Sequence, residues 1–174
     1  FSNLSPNPGI SKRIAPGQPN GVYLVNSYEH DERGFATEDN KIRRQMVEKR
    51  LKKTQALKEE IEKIQLPVFG EKDAEIGLIS WGSNKGPVLE ALKQLPEDKI
   101  AFLHLNTVWP LPAGQINAFV KNKKKLISLE CNSTGQLGSL IREQTGIEII
   151  DKLLKYDGRP FYPEEIVNKI VKLS

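Results

Sequence analysis

The chain has 174 residues, 38% hydrophobic and 28% charged, with a formal net charge of +4, enough for one well-buried domain and an appendage. Its single cysteine excludes an internal disulfide, a CxxC redox pair and an iron–sulfur cluster ligated by this chain alone. No 18-residue apolar run and no charged-then-apolar leader is present, so the sequence reads as a cytoplasmic protein; starting at Phe1, it is expected to be a fragment or a processed product.

Residues 1–20 carry Pro6, Pro8, Pro16 and Pro19 with Gly9 and Gly17, which predicts a loop or extended arm. Residues 21–28 have strand composition, and 29–35 form a polar turn. Thr37 is the expected N-cap of a long helix reaching about Gln65, with Glu38 and Asp39 in its first turn. Ile42, Met46, Val47, Leu57, Ile61 and Ile64 supply its apolar stripe, which is expected to pack on the following domain, and Pro67 ends it. Seven Lys/Arg face the single acid Glu48 over residues 41–53.

From residue 71 onward, strands and helices alternate. Strands are predicted at 75–81, 100–105, 125–130 and 152–155, and helices at 85–95, 113–121, 135–145 and 164–171. Pro87, Pro112 and Pro163 sit near three helix starts, where a missing N–H costs least. Right-handed crossovers then leave few arrangements other than an α/β, three-layer αβα fold on a mostly parallel, doubly wound sheet. The expected organisation is an arm and strand (1–36), a long linker helix (37–70) and the α/β domain (71–174).

Two polar loops follow strands and precede helices, at residues 82–87 and 132–136. Backbone N–H groups there could receive an anion, although neither loop matches GxGxxG or GxxxxGK[ST]. The plainer reading is that Ser83 or Asn84, and Ser133 or Thr134, cap their helices while the glycines turn the chain. Cys131 and His104 fall at strand ends without a third orienting residue, which disfavours a nucleophilic pair. Residues 28–32 crowd three carboxylates around His30, but neighbouring side chains on an extended segment diverge, so a solvated turn is expected rather than a metal site.

No residue is therefore assigned a catalytic, cofactor-binding or metal-binding role. If the first and third predicted strands are neighbours, Ser83, Asn84, Glu130, Asn132, Thr134 and Gln136 gather at the carboxyl edge of the sheet. Short polar side chains beside glycines, with Trp81 and Trp109 as large anchors, suit an intersubunit surface. Glu130 is expected to orient Asn132 or to meet a basic residue across the contact.

The segments 28–34 (YEHDERG), 43–50 (RRQMVEKR), 80–83 (SWGS), Gly86-Pro87, 108–112 (VWPLP), 130–136 (ECNSTGQ) and 155–161 (KYDGRPF) occur in one order along nearly the whole chain. Together they resemble the C-terminal part of the α subunit of 2-oxoacid:ferredoxin oxidoreductases, especially the 2-oxoglutarate type. Cys131 departs from the pattern, in which a second Asn is more usual. The resemblance implies a transketolase C-terminal-like domain at 71–174 and an arm leading out of a thiamine-pyrimidine domain. It also implies an enzyme that converts a 2-oxoacid and coenzyme A into an acyl-CoA, carbon dioxide and reduced ferredoxin. Thiamine diphosphate, Mg2+, an iron–sulfur cluster and coenzyme A belong to that complete enzyme and none to this chain, whose role would be assembly and active-site closure. The implied partners are a β subunit, γ/δ subunits where present, and ferredoxin, with no nucleic acid and no membrane. Two other readings are a free-standing nucleotide-binding α/β protein and a nucleic-acid module using the basic helix at 41–53.

Overall fold

A computed structural model of the chain describes residues 9–11, 14–24, 26–96 and 99–173. They divide into two compact units, Phe1–Glu60 and Ile61–Ser174.

Helix α1, Asn40–Lys63, ends the first unit and starts the second. It begins two residues later than expected because Asp39, not Thr37, is its cap. The Asp39 carboxylate accepts the Ile42 N–H at 2.8 Å and its carbonyl accepts the Arg43 N–H at 2.9 Å, while the Thr37 hydroxyl only accepts the Asp39 N–H. The strand expected at 21–28 is not formed at 21–24 or 26–28, and residue 25 lies outside the described residues, as do Pro6 and Pro8. The local pairing is a single antiparallel bridge, His30 with Ala36. Gly9 lies on α1 where a Cβ would fall 2.4 Å from the Lys49 carbonyl oxygen. Arg50 grips the Glu29 carboxylate with two bonds of 2.9 and 2.8 Å, which holds that carboxyl below its usual range.

The expected apolar stripe on α1 is covered only in part. The helix fully buries no residue: of the stripe, Ile42, Met46, Leu57 and Ile61 are half-buried and Val47 and Ile64 exposed, and Leu51 outside it is 64% exposed. Its final turn is instead tied within the second unit by polar bonds. The Gln115 amide donates to the Ile64 carbonyl at 2.9 Å and accepts the Leu66 N–H at 2.8 Å, and Glu62 accepts the Gly114 N–H at 2.9 Å.

The second unit is a five-stranded sheet of β1 Val68–Gly70, β2 Ile76–Trp81, β3 Ile100–Leu105, β4 Lys125–Glu130 and β5 Asp151–Leu154, in the order β1-β3-β2-β4-β5. Strands β2 to β5 are parallel, and β2 lies between β3 and β4, which meets the condition that the first and third predicted strands be neighbours. Strand β1, which the sequence did not announce, pairs antiparallel with β3. It stops at Gly70, where φ is 75° and a Cβ would meet the Ile100 carbonyl oxygen at 2.3 Å.

The parallel strands read as near-continuous apolar runs because both faces are covered. Leu78, Phe102, Ile127 and Leu129 pack under α2 Lys85–Leu92 and α5 Pro163–Leu173. Ile79, Leu103 and Leu105 pack under α3 Ala113–Val120 and α4 Gln136–Thr145. The connections from β2 and β4 therefore leave toward opposite faces. Their carboxyl ends form the crevice where doubly wound sheets usually receive ligands. Among the described residues no helix is long and apolar enough to cross a membrane.

This distribution of burial predicts contrasting mutational costs. Phe102→Ala should destabilise the chain by about 3–5 kcal/mol, and Leu51→Ala by less than about 0.5 kcal/mol, each read from urea unfolding.

Candidate functional site at the carboxyl edge of the sheet

Glu130 ends β4 with its side chain fully buried, and its carboxylate turns into the first turn of α4. One oxygen accepts the Leu137 N–H at 2.7 Å and the Asn132 side-chain amide at 2.8 Å; the other accepts the Gly138 N–H at 3.1 Å. Held in this way, Asn132 uses its own carbonyl oxygen to accept the N–H groups of Thr134 (3.1 Å), Gly135 (2.7 Å) and Gln136 (3.3 Å). Five consecutive backbone donors are thereby filled from within the chain. The cradle in which a phosphate would sit at a helix N-terminus is occupied by the protein's own carboxylate and amide.

The loop closes through Gly135 at φ 70°, a conformation costly for other residues. Lys152 of β5 lies over it so closely that a Cβ would fall 2.9 Å from Lys152 Cδ. The expected capping by Ser133 or Thr134 does not occur: α4 has no cap from the residue at its N-cap position. Glu130 does orient Asn132, but its principal role as the cap was hidden by its place seven residues before Leu137.

The loop after β2 is built differently. Gly82–Asn84 form a single 3-10 turn leading into α2, and no side chain caps either start, so the expected cap by Ser83 or Asn84 is also absent. Asn84 is buried and points across the crevice. Its amide donates to the Leu129 carbonyl at 3.5 Å, and its carbonyl oxygen accepts the Cys131 thiol at 3.1 Å. Ser80 also donates to Leu129, at 2.6 Å. Cys131 thus links the two loops, and His104 stands on β3, two strand spacings or about 10 Å from β4.

The side chains of Ser83, Thr134 and Gln136 face solvent. Trp81 is 42% exposed at the end of β2, and Trp109 is 59% exposed in the connection from β3 to α3. The structure places both tryptophans on the same edge without a hydrogen bond or ring contact to the polar loop among the described residues. The connection from β5 to α5, which was not among the candidates, adds exposed Tyr156 and Tyr162. It is pinned by Lys155, whose Nζ meets both Glu165 oxygens at 2.7 Å and lies 4.8 Å from the Tyr162 ring centre. This bond raises the Lys155 pKa and lowers that of Glu165, so the clamp holds from below the usual carboxylate range to above the usual lysine range. The acidic turn is likewise spent internally: Asp31 accepts the Arg33 and Phe35 N–H groups while Glu29 holds Arg50.

A family model described as pyruvate:ferredoxin oxidoreductase core domain II matches residues 74–166, more than half the chain. The chain belongs to this family. Relatives of this core-domain family include a 2-oxoacid:ferredoxin oxidoreductase α subunit from Aeropyrum pernix, 33% identical over 95% of this chain and 26% of its own length. The α subunit from Saccharolobus solfataricus is 34% identical over 88% of this chain and 25% of its own. The 2-oxoglutarate synthase subunit KorA of Methanothermobacter thermautotrophicus is 30% identical over 98% and 45%, respectively. The chain thus spans about a quarter of the first two relatives and under half of the third. A solved 2-oxoglutarate:ferredoxin oxidoreductase from Magnetococcus marinus, with 2-oxoglutarate, coenzyme A and succinyl-CoA bound, matches with a TM-score of 0.73. It is 32% identical and covers 97% of this chain and 29% of its own.

Two predictions follow from the buried groups. Glu130→Ala leaves two α4 donors and Asn132 unpartnered and should cost about 3 kcal/mol. Added formate should recover part of that loss in Glu130→Ala but not in the unaltered chain, read from melting temperatures. His104 is buried beside Lys85, and both effects lower its pKa. A depressed histidine pKa contributes stability that is full above the ordinary histidine value and is lost as pH falls toward the folded-state value. His104→Leu should flatten that acid-side slope in pH-dependent urea unfolding.

Proposed function

We propose that this chain is an architectural domain of the α subunit of a 2-oxoacid:ferredoxin oxidoreductase, presenting its carboxyl-edge rim to the rest of the enzyme. The complete enzyme would decarboxylate a 2-oxoacid oxidatively, transfer the acyl group to coenzyme A and reduce ferredoxin. The observation that carries this reading is the match to the Magnetococcus marinus enzyme along almost the whole chain. That enzyme's bound 2-oxoglutarate and the KorA relative favour 2-oxoglutarate as the substrate.

In this reading thiamine diphosphate, Mg2+, the iron–sulfur cluster and coenzyme A are held by other parts of the enzyme. The described residues contain no group of three or more His, Cys, Asp or Glu able to hold a metal, and one cysteine does not ligate a cluster. The donors at α4 that would suit a diphosphate are filled by Glu130 and Asn132. What this chain supplies is a rigid edge: exposed Trp81, Trp109, Tyr156 and Tyr162 around a polar loop set by Asn132. Large aromatics with short polar neighbours are the composition of an interface centre. The β subunit is the proposed partner, and with it any γ or δ subunits.

Asn132 is a poor probe of such docking, since its carbonyl oxygen holds three N–H groups and its loss deforms the loop itself. Trp109 and Gln136 are better probes. The double variant Trp109→Ala, Gln136→Ala should leave the melting temperature of this chain within a few degrees and weaken its co-purification with the remaining subunits. Assembly at unaltered affinity would place the contact elsewhere. The chain by itself should turn over no 2-oxoacid; turnover without a second subunit would end the architectural reading.

A further inference from the structure

Within the first unit, helix α1 has two unlike sides. At about 100° per residue, Ile42, Met46, Lys49 and Leu57 fall together, and all four are half-buried. Polar bonds fasten the same side: Lys49 donates to the Ser11 hydroxyl, and Arg50 at its margin grips Glu29. The opposite side carries Lys41, Arg44, Lys52 and Lys58, all exposed. Among the described residues none of these four cations has an ion pair. Glu48 stands between Arg44 and Lys52, one turn from each, and pairs with neither.

The placement of these cations is unfavourable for the helix by itself. Lys41 stands in the first turn and Arg44 just beyond it, at the positive end of the helix dipole, and no acid lies within that turn. The free chain thus carries a repulsion that negative charge from outside would relieve. Between the cations lie two aliphatic side chains one turn apart, Val47 at 38% and Leu51 at 64% exposure. A small apolar centre inside a charged rim is the anatomy of a protein contact. A second copy of the chain would set the same cations against these. Duplex nucleic acid gains nothing from Leu51 or Glu48, and two aliphatic residues make too narrow a face to enter a membrane.

We propose that this side of α1, residues 41–58, docks an acidic amphipathic helix of another protein chain. Val47 and Leu51 meet its apolar residues, and Lys41, Arg44, Lys52 and Lys58 meet its carboxylates. The seam is about 27 Å long, five turns of helix. Apolar anchors one turn apart with flanking charges are the pattern by which one helix selects another of opposite charge. The surface rests on the charge of α1 alone; only the second probe below rests on the oxidoreductase reading.

The first probe is a labelled synthetic helix of Leu and Glu in heptad order, titrated onto the full chain and followed by fluorescence anisotropy. Saturable binding is expected, weakened about tenfold or more between about 0.1 M and about 1 M salt, as the screening length falls from about 10 Å to about 3 Å. The double variant Arg44→Glu, Lys52→Glu should lose about tenfold or more at the lower salt. Leu51→Ala should weaken binding at both salts while the chain stays folded. No binding of the peptide overturns the proposal, as does full binding by the charge-reversed chain while still folded by circular dichroism. Tighter binding of duplex DNA or of phosphatidylserine vesicles than of the peptide overturns it too. The second probe is the remaining subunits of the enzyme, whose association charge reversal should weaken. Their full association with the reversed chain would overturn this surface and leave the oxidoreductase reading standing. Their failure to meet the unaltered chain, beside intact peptide binding, would end that reading and leave the surface standing.

Discussion

The structure turns on one buried carboxylate. Glu130 leaves β4 and is received by the first turn of α4, where Leu137 and Gly138 donate to it and the partial positive charge of the helix start faces it. A carboxylate with no solvent exposure is tolerable only when its lone pairs are filled, and here backbone donors and Asn132 fill them. The same contact fixes the angle at which the chain leaves the sheet. Asn132 then gathers three N–H groups, Gly135 turns, and Thr134 and Gln136 are directed outward. The Glu130 carbonyl also accepts the Lys155 N–H at 3.1 Å, so the β5 connection begins from the same residue. The Glu130 side chain therefore sets the polar loop of the rim proposed to meet other subunits, and its backbone carbonyl the start of the β5 connection.

The parallel core was legible because its physics is local in sequence. Ile100–Leu105 and Lys125–Glu130 are apolar runs bounded by polar turns, and Pro112 and Pro163 mark helix starts. The crossover rule then left few arrangements, and the structure has the one in which β2 lies between β3 and β4. What escaped was set by tertiary partners. Strand β1 is three residues long and exists because β3 offers an edge. Residues 21–24 have strand-forming side chains but no ladder to join. The α1 stripe is covered only at Ile42, Met46, Leu57 and Ile61, and the C-terminal end of the helix is secured by the polar groups of Gln115 and Glu62.

The site showed the same division. Sequence placed the polar residues at the right edge but misjudged which were structural. Asn84 and Asn132 look like surface amides, yet one bridges to Cys131 and the other holds a turn. A cap supplied from the preceding strand leaves no short-range motif, unlike a Ser or Asp immediately before a helix. The edge thus contains one helix start sealed by its own carboxylate and one, at Gly82–Asn84, without a side-chain cap. Sealing α4 sets the polar loop of the rim proposed to meet other subunits.

The central claim is that this carboxyl edge is a contact face, and hydrogen–deuterium exchange tests it most directly by comparing the free chain with the assembled enzyme. Assembly should slow exchange at residues 81–83, 107–110, 133–136 and 156–162 and leave the outer surfaces of α3 and α5 unaltered. Equal exchange of those four loops in both states, with protection appearing elsewhere on the domain, would contradict the account.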